Sequence, residues 1–473
     1  MGEPTITGLD RSGDVAADVD TDVDVATMGG EVDIVVVGAG LAGLTAALTA
    51  ARAGATVAVF DAGRVGGRAR STTVEPGVVF NGGPRALYRD GAAARELAAL
   101  GVRWHGGAPT TRRTRVRIGE GTHQMPGTAW QLLRSGALGT RGTVQAAWLL
   151  GTISRRDPAA LVGRSVTDWS AGLGLSPDAR AILLALVRLA TYVDDPESFD
   201  AGAALTQLQL ALGGGVEYLD GGWQTLVDQL VASLTGVRVG VGVDVGTGVG
   251  VGTGVGVGVA VHDHSRVRSI DRSATGDRWI VRTDVGTISS ASVVVAAGTP
   301  AAASALSQVP LELDGSGDPV TAACLELAVR GPLPVAFLLG VDVPLYLSQH
   351  SPPAALAPDG ISVVHVLLYG ADGTGAGAER AELWEHARRA QIDPADVVAE
   401  RFLHRMVVSG GRPLAANGGL AGRPSVTVPG APGLLLAGDW VGEEGLLADA
   451  AVASGVVAGH RAADHAARAT CPA

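Results

Sequence analysis

The sequence of 473 residues contains no lysine, so its 36 basic residues are all arginines. This absence excludes mechanisms that need a lysine amine, such as a Schiff base, a P-loop phosphate site or a lysine-activated water. Cysteine is also scarce, with Cys324 and Cys471 alone. Neither lies in a CxxC motif or a Cys/His cluster, so we expect no disulfide framework and no metal site.

Long hydrophobic runs are missing too, although 47% of the residues are apolar and the mean hydropathy is +0.27. No charge-free apolar window reaches the roughly 18 residues that a transmembrane helix needs. We therefore expect a soluble, cytoplasmic protein without a transmembrane segment. A peripheral contact with a membrane stays open.

Most of the net charge of −11 lies near the N-terminus, where residues 1–33 hold nine acidic residues and one arginine. Such a composition cannot bury enough apolar surface to fold, so we expect residues 1–30 to form a disordered acidic tail. The rest of the chain is close to neutral, and nothing in it indicates nucleic-acid binding.

The most informative stretch begins with four apolar residues at positions 34–37, which predict a buried parallel strand. The run from Gly38 to Gly43 follows at once and opens a helical pattern. A second strand is predicted at residues 55–60, and Asp61 stands at its end. Strand, glycines, helix, strand and acid occur in the order of a dinucleotide-binding βαβ unit.

Each residue type has a physical role in such a unit. Gly38 permits the tight turn, Gly40 lets the backbone approach a pyrophosphate, and Gly43 lets the helix pack closely on the strand. The N-terminus of the helix offers free N–H groups to the phosphates. Asp61 can accept hydrogen bonds from ribose hydroxyls and would repel a 2′-phosphate, so FAD or NAD is favoured over NADP.

The next segment, Arg64-Val65-Gly66-Gly67-Arg68, resembles the second diphosphate-contacting segment of the flavin amine oxidase and phytoene desaturase superfamily. Similar segments occur at residues 81–88, at 292–299 and at 433–440, where a predicted strand runs into a Gly-Asp pair. A YLSQHS stretch followed by APDG narrows the resemblance to bacterial desaturase-like members. The resemblance implies FAD, bound without a covalent link.

The resemblance also implies which residues contact the cofactor. Asp439 would bond the ribityl or phosphate region, and the helix that starts near Asp449 would point its N-terminus at the flavin ring, with Ala450 where glycine is common. The full set of implied contacts is Gly38, Gly40, Leu41, Ala42, Gly43, Asp61, Ala62, Gly66, Gly67, Arg68, Gly82, Gly83, Pro84, Arg85, Val267, Ala297, Gly298, Gly438, Asp439, Asp449, Ala450 and Ala451.

The implied fold class is α/β, a Rossmann-like FAD-binding domain of the glutathione-reductase type with an inserted mixed α+β substrate domain. The expected FAD-binding parts are residues 31–100, 223–305 and 426–473, and the substrate domain comprises a helical part at 101–222 and a second part at 306–425. Strands are expected at residues 287–289 and 292–299. The Gly/Val repeat at 236–261 is expected to form a lengthened hairpin or a floppy loop.

The superfamily oxidises a substrate carbon by hydride transfer to flavin N5. The resemblance therefore implies an FAD-dependent oxidoreductase that acts on a hydrophobic small molecule, as a desaturase or dehydrogenase does. A flavin amine oxidase and a redox-neutral flavoprotein isomerase stay as alternatives. The missing lysine counts against a typical amine oxidase, and the electron acceptor is open between O2 and a quinone.

Catalytic residues are not identified by the sequence. Tyr346, His350 and Trp440 are the candidates for the substrate pocket. His350 is alternatively a structural histidine, and Trp440 is alternatively core packing beside the Gly-Asp turn. Arg85 is expected either to neutralise a reduced flavin or a substrate carboxylate, or to form an ordinary surface ion pair.

Overall fold

A computed structural model describes residues 28–125, 139–236 and 258–470. Most of the acidic tail and most of the Gly/Val repeat lie outside the described residues, so the expectations for both stay predictions. Among the described residues, no helix is both long enough and apolar enough to cross a membrane.

The described residues form helices in both the nucleotide-binding and the inserted regions. The helices are α1 (Leu41–Arg52), α2 (Ala92–Ala99), α3 (Thr140–Thr152), α4 (Val166–Gly172), α5 (Pro177–Thr191), α6 (Ala201–Leu212), α7 (Gln224–Gly236), α8 (Pro300–Leu306), α9 (Ala376–Arg389) and α10 (Leu447–Thr470).

The strands belong to two large sheets and two small ones. They are β1 (Met28–Val37), β2 (Val57–Phe60), β3 (Thr72–Glu75), β4 (Val78–Phe80), β5 (Leu87–Tyr88), β6 (Gly106–Gly107), β7 (Thr114–Ile118), β8 (Gly121–Gln124), β9 (Val216–Leu219), β10 (Val259–His262), β11 (Val267–Arg272), β12 (Trp279–Thr283), β13 (Gly286–Val295), β14 (Val320–Arg330), β15 (Phe337–Gly340), β16 (Leu345–Gln349), β17 (Ile361–Tyr369), β18 (Val397–Ser409) and β19 (Leu434–Leu436).

The first large sheet has the strand order β10-β2-β1-β13-β12-β11, and β19 also pairs with β13. β10, β2, β1, β13 and β19 run parallel, whereas β11 and β12 form an antiparallel hairpin beside β13. Val37 pairs with both Phe60 and Val295, and Val295 pairs with Leu436. The carboxyl ends of four strands therefore lie level at one edge of the sheet, where ligands bind in open parallel sheets.

Small residues bring the helices of this domain close to each other and to the sheet. A Cβ at Gly43 of α1 would collide with the carbonyl oxygen of Gly38. On α10, a Cβ at Gly455 or at Gly459 would collide with backbone oxygens of α1. The core around β1, β2 and β13 is built from buried residues in the segments 34–102, 219–234, 267–303 and 426–466, the outermost of which are far apart in the sequence.

The second large sheet has the order β18-β14-β17-β16-β15-β7-β8 and is antiparallel except where β7 pairs with β15. One face packs on apolar residues of α3, α5 and α6. The other face packs on α9. The architecture is thus a Rossmann-like domain with an inserted α+β domain, which confirms the predicted fold class.

Three details differ from the expectations. β1 begins at Met28, so residues 28–30 belong to the sheet and not to the tail. β13 is one strand from Gly286 to Val295, where two strands were expected. Residues 101–222 are not only helical, because β7 in this range pairs with β15 more than 200 positions later. Pairing between such distant segments has no local pattern in the sequence. The domain boundaries themselves stay a prediction.

Candidate functional site

A cavity of about 920 Å³ lies between the carboxyl edge of the first sheet and the apolar face of the second. Pockets that hold small molecules and cofactors usually measure roughly 300–1,000 Å³. The expected site residues that line the cavity are Gly38, Gly40, Leu41, Ala42, Asp61, Ala62, Gly67, Arg68, Pro84, Arg85, Val267, Ala297, Gly298, Tyr346, His350, Gly438, Asp439, Asp449 and Ala451.

The turn after β1 forms one end of the cavity. Gly38 has φ +102°, which favours glycine, and a Cβ there would collide with the carbonyl oxygen of Ala296 at the end of β13. Gly40 precedes α1 and no side chain caps this helix. The first N–H groups of α1 therefore have no intrahelical acceptor, and Leu41 and Ala42 place them at the cavity wall.

Asp61 is held rigidly at the end of β2. Its carboxylate accepts the Ala39 N–H at 2.7 Å and the Gly63 N–H at 2.8 Å. A carboxylate has about four lone-pair positions, so two bonds leave capacity for further donors. Asp61 can therefore accept hydroxyl groups of a ligand while its backbone bonds fix its orientation.

A bidentate ion pair joins the two ends of the chain at the middle of the cavity. Arg68 Nη1 lies 2.7 Å from Asp439 Oδ2, and Nη2 donates to Oδ1 at 3.0 Å. The same arginine donates to the Val408 carbonyl at 3.1 Å, and Asp439 accepts the Gly410 N–H at 3.1 Å. The sequence predicts a cofactor contact for Arg68 and for Asp439 separately but does not predict this pair, because 371 positions separate the two residues.

The start of α10 forms a further part of the wall. Ser454 links this helix to the Gly-Asp turn by two hydrogen bonds. Its hydroxyl accepts the Gly438 N–H at 2.9 Å and donates to the Gly438 carbonyl at 3.0 Å. Asp449 is buried and accepts the Ala93 N–H at 2.7 Å. Burial raises the pKa of Asp449 to about 6. Leu447 lies two residues before Asp449, has a left-handed backbone with φ +55° and lines the cavity.

Arg85 lines the cavity without a carboxylate partner among the residues that the structure describes. Its Nη2 donates to the Gly82 carbonyl at 3.2 Å, and its Nε has no hydrogen-bond partner in that part of the chain. Burial, followed by the nearby charge of Arg68, lowers the pKa of Arg85. The expected surface ion pair is therefore wrong, and the guanidinium is available to a ligand.

Aromatic residues form the opposite end of the cavity. The chain has five tyrosines, and four of them line the cavity: Tyr88, Tyr192, Tyr218 and Tyr346. The hydroxyl groups of Tyr192 and Tyr346 lie 3.0 Å apart. Only Tyr346 is a candidate from the sequence, because the other three tyrosines lie on distant elements. The scarcity of tyrosine was the one signal that could have drawn attention to them.

Six expected site residues do not line this cavity: Gly43, Gly66, Gly82, Gly83, Ala450 and Trp440. Gly66 donates its N–H to the Ala39 carbonyl at 2.8 Å, and Gly83 donates its N–H to Glu326 at 3.0 Å. Trp440 is fully buried in the core of the first domain. Of the two alternatives for Trp440, the wall of the substrate pocket is therefore wrong, and core packing beside the Gly-Asp turn is what the structure shows.

Comparisons with known proteins agree with this architecture. Residues 36–99 match the family model of the NAD(P)-binding Rossmann-like domain. No curated protein matches the chain.

Solved structures with a similar fold include three oxidoreductases. An oxidoreductase from Methanosarcina mazei has 19% identity, a TM-score of 0.65 and coverage of 91% of this chain and 99% of its own. Putrescine oxidase bound to putrescine has 15% identity, a TM-score of 0.68 and coverage of 92% and 99%. Cyclohexylamine oxidase from Brevibacterium oxydans has 16% identity, a TM-score of 0.63 and coverage of 92% and 99%.

At these identities the likeness establishes a shared fold. Residues 36–99 match an NAD(P)-binding Rossmann-like domain, and the whole chain shares its fold with putrescine oxidase and cyclohexylamine oxidase, which agrees, at the level of fold, with the resemblance found in its sequence.

Proposed function

We propose that the chain is an FAD-dependent oxidoreductase that removes a hydride from a hydrophobic small molecule. The observation that carries the proposal is the form of the cavity: glycine backbone and a helix N-terminus at one end, tyrosines and aliphatic side chains at the other. A dinucleotide fits the first end, and an apolar substrate fits the second.

The residues present fit FAD. Asp61 would hold the ribose hydroxyls, and the turn from Gly38 to Gly40 would hold the pyrophosphate where a side chain at Gly38 would collide with β13. Arg68 and Asp439 would contact the ribityl or phosphate region, and the N-terminus of α10 would lie at the flavin ring. The other implied contacts that line the cavity are proposed with them, and the three proposed FAD-binding parts of the chain are those expected from the sequence.

The chain's own groups would bind, orient and shield the reactants. FAD, when bound, supplies the two-electron oxidant. The aliphatic lining from α5 and α6, including Leu186, Leu189 and Leu208, would exclude water from the reacting carbon. Arg85 would hold a negative charge that develops on the cofactor or is carried by the substrate.

A flavin amine oxidase is the second candidate, favoured by the fold shared with putrescine oxidase and cyclohexylamine oxidase. Two observations count against it. The chain has no lysine to hold a water, and the described lining from α5, α6 and the second sheet contains no carboxylate to bind an ammonium group. A hydrophobic substrate without a cationic group therefore fits better.

An anaerobic reduction experiment tests the proposal. The purified flavin-loaded protein is mixed with a panel of polyenes, other apolar hydrocarbons and amines, and the flavin absorbance is followed. We expect uncharged apolar compounds to bleach the flavin and primary amines to leave it oxidised. Bleaching by amines alone would favour the amine oxidase, and bleaching by no compound would contradict the proposed oxidation.

A further inference from the structure

A chain of buried polar side chains runs beneath the tyrosine end of the cavity. The rings of His350, which follows β16, and His365 on β17 have centroids 4.3 Å apart. His365 Nε2 lies 3.2 Å from Glu326 Oε1 on β14. Glu326 also accepts a hydrogen bond from Arg401 Nε on β18 at 2.6 Å. The two histidines and the glutamate are at most 1% exposed.

The carboxylate of Glu326 is ionised at neutral pH. Burial acts to raise its pKa, but hydrogen bonding and charge from His365, and then from Arg401, outweigh burial and lower the pKa to about 2. An ionised carboxylate inside a protein is costly unless it is paired and hydrogen-bonded. The charge of Glu326 thus depends on its partners, and its carboxylate lies 3.2 Å from the ring of His365.

His350 stands between this chain and the cavity, which it lines. Its ring stacks on Tyr218 with centroids 3.7 Å apart, and Ser348 Oγ lies 3.0 Å from Nε2. Nδ1 has no hydrogen-bond partner among the described residues. Burial, and then the nearby His365, lower the pKa of His350 well below its usual 6.5, so the ring is neutral at pH 7.

A neutral imidazole has one nitrogen that can accept a proton. The other titratable groups at this end of the cavity cannot accept a proton at pH 7. Burial raises the pKa of Tyr88, Tyr192, Tyr218 and Tyr346, so these phenols keep their protons. The guanidinium group of Arg85 has donors only and no acceptor atom. His350 therefore combines a basic nitrogen, a position on the cavity wall and an unsatisfied ring atom.

We propose that His350 is the proton acceptor of the reaction and that His365 and Glu326 are positioning residues that hold its ring. This inference rests on the proposed function. FAD, when bound, would supply the oxidant that takes one hydrogen of the substrate together with its electron pair. The electrons of the neighbouring C–H or heteroatom–H bond form the new double bond, and the proton of that bond goes to the ring nitrogen of His350 and then to solvent.

Single-turnover reduction under anaerobic conditions, with a compound that bleaches the flavin, tests the role of His350. Proton transfer to a positioned side chain accelerates reactions by roughly 10²–10⁴-fold. We expect His350→Gln to slow reduction by about that factor, to leave the substrate Kd nearly unchanged and to remove the acid limb of the pH profile. His386→Gln is the matched control, because His386 is equally buried, contacts the Leu338 carbonyl and does not line the cavity. An unchanged rate and pH profile in His350→Gln would overturn the inference.

A second measurement needs no substrate. In the full chain labelled with 15N in its histidine rings, the signals lost in His350→Gln belong to His350. At pH 7 we expect the His350 ring to be neutral, with one nitrogen that carries no proton. We expect Glu326→Gln to change the 15N chemical shifts of His350 through the contact with His365. A charged His350 at pH 7 would overturn the inference. Failure of every compound to bleach the flavin would contradict the proposed function, whereas a charged His350 ring in a protein whose flavin is bleached would overturn this inference alone.

Discussion

At the scale of single residues, the site depends on side chains that are fixed by the backbone before any ligand binds. Asp61 is bonded to the Ala39 and Gly63 N–H groups, and Asp439 is bonded to Arg68 and the Gly410 N–H. Because these side chains are already ordered, they lose little conformational entropy when a ligand binds. Less of their interaction energy with the ligand is therefore offset by an entropy cost.

Asp61→Ala is expected to weaken FAD binding. Hydrogen bonds to charged groups contribute roughly 1.5–3 kcal/mol, which corresponds to a Kd about 10- to 100-fold higher. Flavin fluorescence titration of the flavin-free protein measures the Kd. The matched control is Asp277→Ala, whose partners Ser273 and Thr275 lie in an exposed turn. Equal Kd values for both variants and the wild type would show that Asp61 does not hold the ribose.

Asp449 gives a pH dependence whose sign follows from its environment. Its folded pKa of about 6 lies above the ordinary 3.8, so its contribution to stability is fully present below pH 3.8 and is lost as the pH rises through 6. At pH 7 and without flavin, Asp449→Asn should have a free energy of unfolding roughly 1–3 kcal/mol higher than that of the wild type. Urea unfolding measures this difference. The difference should shrink between pH 6 and pH 4. A difference that does not change with pH would contradict the raised pKa.

At the scale of elements, the site exists because α1 and α10 approach the first sheet closely. Gly43 faces the Gly38 carbonyl, and Gly455 and Gly459 of α10 face backbone atoms of α1. Close packing of this kind places two helix N-termini at the same edge of the sheet. The glycine spacing in α1 predicted one of these contacts, whereas the contact with α10 joins segments about 400 positions apart and had no local signal.

Gly43→Ala should therefore disturb both the fold and the cofactor site. Its Cβ would meet a backbone carbonyl that cannot rotate away, and overpacking of this kind costs roughly 1–3 kcal/mol. We expect a lower unfolding midpoint and reduced flavin retention. Gly151→Ala in α3 is the control, since nothing lies within 4 Å of the added Cβ, and alanine in a helix should stabilise by about 0.5–1 kcal/mol. Equal midpoints for the two variants would contradict the close packing.

At the scale of the whole molecule, residues from distant parts of the chain line one cavity. Motifs that depend on neighbouring residues, such as Gly38 to Gly43 and Gly438-Asp439, could be recognised in the sequence, and the cavity lining contains most of them. Three other features could not be recognised in the sequence, because each brings together residues from different elements. They are the Arg68–Asp439 pair, the group of tyrosines and the buried His365–Glu326 contact. The position of Trp440 stayed open between the pocket and the core for the same reason, since local sequence does not say which side of a turn a ring occupies.

The cavity of this molecule accounts for its function only if it holds FAD. The most direct test is the visible spectrum of the purified full chain, recorded as isolated and after incubation with FAD and removal of the excess. We predict a flavin spectrum with about one FAD per chain, released intact on denaturation because no covalent link is expected. A colourless protein that takes up no FAD under either condition would contradict the account.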